Sequence, residues 1–496
     1  MTSGPAEAVT PAQQVAPGAP GERTRVVARN AAVIAVAEIA GKVATLAFMV
    51  AAARVLGQSD FGAFSYALSF SLLLATLPSW GFDSLVVARG GADPAALPRL
   101  ASEALALRTA IVVPVFLVAS VAGALLRPSR DSAIAFVVVL AAAMVDLYCD
   151  AGRAAAGARQ EQRGVALALV VQRVAMAVLA IGALAAGLGL VGLSVAFLAG
   201  TVLGAVLTLA AVRRLDVRPS LSLLTRAGLA TTARLSIATG INAFLAMALF
   251  RVDQVILQAI KGDDAVGVYA AAYRLVEVVM FLAWSVSRAV FPAMSAARDT
   301  RQVARGVEKG TAALATIYIP FGVGLGLLAE PLLRLLYGDP YATAGAPAAR
   351  WLAGGPLVFA VGYLFTYALI SRGRTVQAAA GTAVATVYNV TANLLLIPSM
   401  SGTGAALVTT TSYVVLVVAL GAFVVPDIGW VRLDRALAVP LAASAVMAGV
   451  LLLSPLPVLP EIGLGAAVYV AAWLALARRA APDHIALIRS LLPGRG

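Results

Sequence analysis

Stretches of about twenty apolar residues recur along this chain from near residue 29 to near residue 478. Each is long enough to cross a hydrocarbon layer of about 30 Å as a helix. Inside lipid a spanning segment must satisfy its own backbone polar groups, which leaves helices and closed barrels. Barrel strands alternate lipid-facing and lumen-facing residues over about 10 positions, and these runs are continuously apolar, so a barrel is excluded. Composition agrees: 61% of the 496 residues are hydrophobic and 12% charged, against roughly 25% charged in soluble domains. The chain reads as an all-α polytopic membrane protein without a sizeable soluble domain.

Glycine, proline and charged breaks place spans near 29–53, 61–88, 105–126, 132–152, 164–187, 190–212 and 228–259. Seven more fall near 265–295, 307–329, 353–370, 375–397, 403–425, 436–454 and 461–477. Lys and Arg collect in cytoplasmic loops, which tests the count of fourteen. With both termini cytoplasmic, that side carries 26 of the 37 basic residues, the other side 6, and the spans 5. One span more or fewer would exchange the sides of all later loops. The expected location is the plasma membrane, multi-pass. The net charge of +13 then follows from topology and from anionic lipid at the inner surface, with no nucleic-acid partner required.

Residues 1–28 form the expected cytoplasmic tail; the first 22 are rich in Pro, Ala and Gly without apolar period, the mark of disorder. A second tail covers 481–496. The single cysteine, Cys149, has no intrachain partner, and the single histidine, His484, excludes a multi-histidine metal site. No cofactor is expected. The longest outer segment, about 330–352, holds Glu330, Asp339 and Tyr341 among prolines and glycines, without the clustered acids and bases of a membrane glycosyltransferase or ligase, so the chain is not expected to be an enzyme.

One short sequence is written twice. RVLGQSDFGAFSYA at 54–67 and AIKGDDAVGVYAAA at 259–272 superpose at an offset of 205, matching Gly57 with Gly262, Gly62 with Gly267 and Phe64 with Tyr269. Gly57 and Gly62 have the spacing of a phosphate-binding loop, yet Ala63 and Phe64 stand where Lys and Ser or Thr are needed. Each copy instead joins an odd-numbered span to the next, six spans apart. An even shift keeps orientation, so the halves are parallel repeats. GLVGLSVAFLAGTVL from Gly189 and SGTGAALVTTTSYVV from Ser401 extend the repeat to spans 6 and 12. This gives two six-helix lobes, 29–226 and 227–426, plus appended spans 13 and 14 at 427–480.

ARVLGQSDFGAFSYALSF followed by GFDSLVVARG resembles the amino-terminal half of bacterial polysaccharide flippases. These form the Wzx-like branch of the multidrug/oligosaccharidyl-lipid/polysaccharide exporter superfamily. FRVDQVILQAIKGDDAVGVYAAAYRLVEVV, with FPAMS after it, is similar to the start of the second half. The resemblance runs from about residue 30 to the end. It implies two lobes around a central cavity that export a polyprenyl-diphosphate-linked sugar by alternating access, alongside glycosyltransferases and a polysaccharide polymerase.

An ionised side chain at the bilayer centre costs roughly 2.5 to 3.5 kcal/mol on insertion scales, so such residues face a cavity or a partner. Lys42, Arg251, Arg274 and Arg288 are the candidate cavity cations, since guanidinium forks suit phosphate oxygens. Acidic neighbours stand close to three of them: Glu38 to Lys42, Asp253 to Arg251, Glu277 to Arg274. Arg274, Glu277, Phe281, Trp284 and Arg288 form one helical stripe. The 205 offset maps Asp83 onto Arg288, a candidate pair closing the cytoplasmic entrance. Asp146 and Asp150 are a candidate coupling-ion site, with Arg153 one turn on as the competing partner. Asn389 and Asn393 suit interhelical hydrogen bonds, and Tyr363 and Tyr367 suit packing.

The expected activity is movement of a lipid-linked oligosaccharide to the outer leaflet. A multidrug/cation antiporter would favour an acidic cavity, and a non-transporting cell-wall scaffold would carry a long tail. A lipid II flippase shares the fourteen-span layout.

Overall fold

The computed structural model describes residues 20–215 and 217–480, with side chains described over 41–478 apart from 216 and 435. Among these residues there are helices and no strands. They are α1 (Pro20–Ser79), α2 (Phe82–Ala92), α3 (Leu97–Leu126), α4 (Arg130–Ala158), α5 (Arg163–Ala185), α6 (Gly189–Arg213) and α7 (Arg226–Ser295). There follow α8 (Thr300–Tyr337), α9 (Asp339–Leu352), α10 (Gly355–Ser371), α11 (Thr375–Ile428), α12 (Leu433–Leu453) and α13 (Val458–Ala480). α1 begins inside the stretch expected as a tail. Proline is favoured at the first helical position because its missing N–H has no helical partner there. The second tail and His484 lie outside the described residues.

α7 is 70 residues long, which straight would be about 105 Å at 1.5 Å per residue. It does not run straight. The Tyr269 hydroxyl donates to Asp253 at 2.5 Å and Arg251 donates to Glu277 at 2.5 Å, contacts centred on Gly262 that require its halves to lie antiparallel. Gly262 (φ 79, ψ −175) is the reversal. α1 reverses in the same way at Gly57 (φ 75, ψ −176), bringing Phe48 and Phe64 onto the same ring, Phe197. α11 reverses at Ser401 (φ 51, ψ −136), where Tyr388 donates to Thr411 and Asn389 to Ser412. Eleven helices are long and apolar enough to cross a membrane among the described residues. Three of them are these hairpins, and counting each half separately brings the number to fourteen.

The expected loops are therefore single-residue reversals. Positive φ with ψ near 180° is a region essentially restricted to glycine, and a Cβ on Gly57 or Gly262 would meet nothing within 4 Å. Backbone conformation alone demands glycine there. Gly189 and Ser401, the second pair of repeat markers, share positive φ as well, at 60° and 51°.

The repeated hairpins pack on each other. A Cβ on Gly62 would lie 1.8 Å from the Asp263 carbonyl oxygen, and one on Gly267 would lie 2.1 Å from that of Gln58. Around this hinge end Arg54 donates to the carbonyls of Leu335 and Leu336, Gln58 to that of Pro340 (2.8 Å) and Tyr341 to that of Ala53 (3.0 Å). Trp80 (φ 37) and Gly81 (φ 75) break α1 from α2, about 34 Å along the helix from Gly57. There a Cβ on Gly81 would lie 2.7 Å from Thr239, and one on Gly240 2.9 Å from Trp80. Thr232 of α7 donates to Glu103 of α3 at 2.6 Å nearby. The chain's two halves thus touch at both ends of the bundle.

A cationic cluster midway between two closures

Between these closures lies the candidate site. Arg251 and Arg274 stand 11 and 12 residues to either side of Gly262, about 17 Å from the hinge end. The α7 hairpin therefore presents both at one depth. Arg251 Nη2 donates to Glu277 Oε1 at 2.5 Å, and Arg274 Nη1 donates to the other oxygen, Oε2. The Arg251 guanidinium lies 5.8 Å from the Tyr273 ring centroid, and its Nε and Nη1 are buried without a partner. Lys42, on the first half of α1, lies within electrostatic range of Glu277, Arg173, Arg251 and Arg274. Arg173 of α5 packs against the neighbouring Gly41, where an added Cβ would meet its Cγ at 3.4 Å.

Asp253 does not pair with Arg251. Its carboxylate accepts from the Tyr269 hydroxyl, from the Thr409 hydroxyl at 3.0 Å and from the Gln254 backbone N–H at 2.7 Å. Four cations consequently face two carboxylates at most among the described side chains, and Asp253 already holds three donors. The described cations of this cluster thus outnumber its described carboxylates, and guanidinium groups are of the type that binds phosphate oxygens with charge-assisted hydrogen bonds.

Three of the four expected cavity cations, Lys42, Arg251 and Arg274, come together here with Glu277. Arg173 joins them unanticipated; its one signal in the sequence is a charge inside span 5. The Glu38 side chain lies outside those described. Arg288 is elsewhere, exposed and about 39 Å along the helix from Gly262, with its Nε donating to the Trp284 carbonyl at 3.3 Å. Asp83 is not with it. Asp83 accepts from Arg108 Nη2 at 2.6 Å, and Arg108, which is buried, also donates to the Leu147 carbonyl at 2.5 Å. The pairing read from the 205 offset is replaced by one between adjacent elements α2 and α3. The break at Trp80 and Gly81 turns α2 towards α3, whereas the second half of α7 continues helical to Ser295.

Asp146 and Asp150 sit in a network with Arg153, which donates to Asp150 at 2.6 Å and to Asp146 at 3.5 Å, while Gln172 donates to Asp146 at 3.0 Å. Asn389 donates to Ser412 across the α11 hairpin and Asn393 donates to Asn389 along the same half of it, each at 2.9 Å. Tyr363 and Tyr367 pack at 5.0 Å, with Phe359 and Phe291 beside them.

The architecture is shared with solved membrane transporters. A lipid II flippase, MurJ, in an inward closed conformation matches with a TM-score of 0.77 at 14% identity, covering 90% of this chain and 99% of that one. An inward-facing multidrug resistance MATE family transporter of the MOP superfamily matches with a TM-score of 0.66 at 17% identity, covering 78% and 95%. At these identities the likeness concerns fold. Among curated proteins, the "Probable low-salt glycan biosynthesis flippase Agl15" of Haloferax volcanii is 24% identical over 211 residues, 40% of this chain. The chain spans 43% of that protein's length. The profile of the polysaccharide biosynthesis protein family matches residues 27–298, both hinge hairpins included. That match takes in more than half of the sequence, and the chain belongs to the polysaccharide biosynthesis protein family.

Proposed function

We propose that this protein is a flippase that carries a polyprenyl-diphosphate-linked oligosaccharide from the cytoplasmic to the outer leaflet for cell-surface polysaccharide synthesis. The observation that carries the reading is the cluster of Lys42, Arg173, Arg251 and Arg274 around Glu277, midway between the two closures. A diphosphate brings at least two negative charges into that depth. It competes with Glu277 for guanidinium donors, and Arg251 already holds two of them unpaired. The hinge-end contact and the Trp80–Gly240 contact are the natural outer and inner closures of an alternating-access cycle.

In this reading both termini are cytoplasmic. The lobes comprise 29–226 and 227–426, with the spans of 427–480 appended. Asp146 and Asp150, bridged by Arg153, are the proposed coupling-ion site. Arg288, at the inner mouth, is the first cation an arriving diphosphate meets. The substrate's chemistry calls for glycosyltransferases to supply it and a polymerase to consume it.

Reconstituted vesicles test this directly, with a fluorescent undecaprenyl-diphosphate glycan in the starting leaflet and protection from a membrane-impermeant quencher as readout. Protein-dependent translocation, lost in Arg251→Gln and Arg274→Gln, is expected. Vesicles that move no such glycan but exchange cationic dyes for protons overturn the reading.

A further inference from the structure

A second feature lies outside the central cluster. Between the second half of α1, α3 and α4 runs a cavity of about 450 Å³, within the range of small-molecule sites. Its wall is apolar apart from Arg127 and the Tyr66 hydroxyl, and includes Phe70, Leu74, Val115, Val118 and Phe136. It lies beside the lipid-facing side of α3, where Val118, Val121, Leu125 and Leu126 are exposed and only 11% of the most apolar stretch is buried. At its hinge end stands Arg127, with a side chain 3% exposed. The guanidinium lies 4.8 Å from the Tyr66 ring centroid. Nη2 donates to Asp263 Oδ2 at 2.6 Å, while Nε, Nη1 and the Asp263 Oδ1 are all buried without partners. Arginine and carboxylate thus meet through a single hydrogen bond in place of the bidentate fork both are capable of.

We propose that this cavity binds an anionic membrane phospholipid, its acyl chain along the apolar wall and its phosphodiester on Arg127. An apolar trough beside a lipid-facing helix takes a hydrocarbon chain, and the unused guanidinium edge takes phosphate oxygens. The donor count selects the class. Asp263 already cancels the charge of Arg127, and the two groups left over, Nε and Nη1, suit a single phosphodiester competing for that arginine, whereas a diphosphate finds its match in the four-cation cluster.

Binding there bears on gating. Asp263 belongs to the second hinge, and its carbonyl is the atom on which Gly62 packs. The Arg127–Asp263 bond therefore ties α3 to the hinge-end closure. A phosphate that claims Arg127 loosens that tie and sets a like charge beside Asp263. The lipid therefore favours opening of the hinge end, by as much as it prefers the state in which Arg127 is released.

The test is native mass spectrometry of the full chain, titrated with phosphatidylglycerol or phosphatidylcholine of identical acyl chains. The wild type is expected to prefer phosphatidylglycerol about tenfold, as one charge-assisted hydrogen bond supplies. Arg127→Gln is expected to bring the ratio to about one. Asp263→Asn is expected to raise phosphatidylglycerol binding above wild type, and Ala122→Phe, which fills the cavity, to lower binding of both lipids. Arg127→Gln and Asp263→Asn break the same ion pair, so damage to the fold would move both variants together, whereas the proposal moves them oppositely. Equal affinity of the wild type for the two lipids overturns it, as does a preference that survives in Arg127→Gln. Displacement of phosphatidylglycerol by undecaprenyl phosphate overturns it too, assigning the cavity to the carrier.

Discussion

Gly62 and Gly267 are each pressed against the other's hairpin. A Cβ on Gly62 would fall 1.8 Å from the carbonyl of Asp263, and one on Gly267 2.1 Å from the carbonyl of Gln58. Gln58 and Asp263 are themselves 205 residues apart. The two contacts are therefore one contact repeated about a pseudo-two-fold axis. The sequence repeats here because the hairpins are each other's docking surface.

Gly267→Ala tests the contact. Its new methyl faces backbone, which has no rotamer to yield, so the hairpins must separate. A loss of about 1 to 3 kcal/mol is expected, the range for overpacking, read as a lower melting temperature in detergent. Labelling of an engineered cysteine at Ala63, which is buried beside Gly62, by an impermeant maleimide is expected to speed up. Unchanged labelling would show that the hinge end opens elsewhere.

Gly57 and Gly262 are constrained by a different force. No atom lies within 4 Å of an added Cβ at either, yet their φ values of 75° and 79° with ψ near 180° are costly for any L-residue. Gly57→Ala and Gly262→Ala are each expected to destabilise by roughly 1 to 3 kcal/mol. Ser401 holds a comparable conformation with a side chain present, so Ser401→Gly is expected to stabilise. Thermal unfolding of the three variants reads the signs.

These glycines mark how far the sequence was legible. Apolar runs fix the spans, and the register of two short motifs fixes the repeat, because both are local signals. The cluster is less legible. Arg274 and Glu277 share a turn, but Arg251 reaches Glu277 across 26 residues, a neighbourhood created by the reversal at Gly262. Arg173 belongs to another helix, and no spacing rule connects it to Lys42. Arg127 and Asp263 are 136 residues apart, and their bond follows from hairpin docking. Single-helix periodicity finds faces, while partners come from how faces are assembled.

Glu277 is the carboxylate that bonds both Arg251 and Arg274. Glu277→Gln is expected to lower stability without ligand by roughly 3 kcal/mol, as when one partner of a buried ion pair is removed. Added farnesyl diphosphate is expected to raise the melting temperature of this variant more than that of the wild type, because anion binding then relieves unpaired cations. Equal shifts in both proteins would place the diphosphate away from the cluster.

Asp253 depends on hydroxyl donors instead of cations. Tyr269→Phe and Thr409→Val each remove one donor from a fully buried carboxylate. Each is expected to cost about 1 to 3 kcal/mol. The double variant should lose more than the two singles together, since one remaining donor compensates for the other. Strict additivity in the melting data would indicate that the carboxylate finds a replacement partner, with Arg251 the adjacent candidate.

Two arginines compete as the partner of Asp83. The 205 register points to Arg288, while the geometry points to Arg108, whose Nε is buried without a partner even with Asp83 in place. Asp83→Asn is expected to destabilise by roughly 3 kcal/mol, because it leaves a buried guanidinium facing a neutral amide. Arg288→Gln should barely change stability, since that side chain is exposed and its hydrogen bond is to the Trp284 carbonyl of its own helix. In a double-mutant cycle Asp83 and Arg108 are expected to couple strongly and Asp83 and Arg288 not at all. Coupling between Asp83 and Arg288 in transport rate but not in stability would mean that they meet in another conformation of the cycle, restoring the inner gate that the repeat register implies.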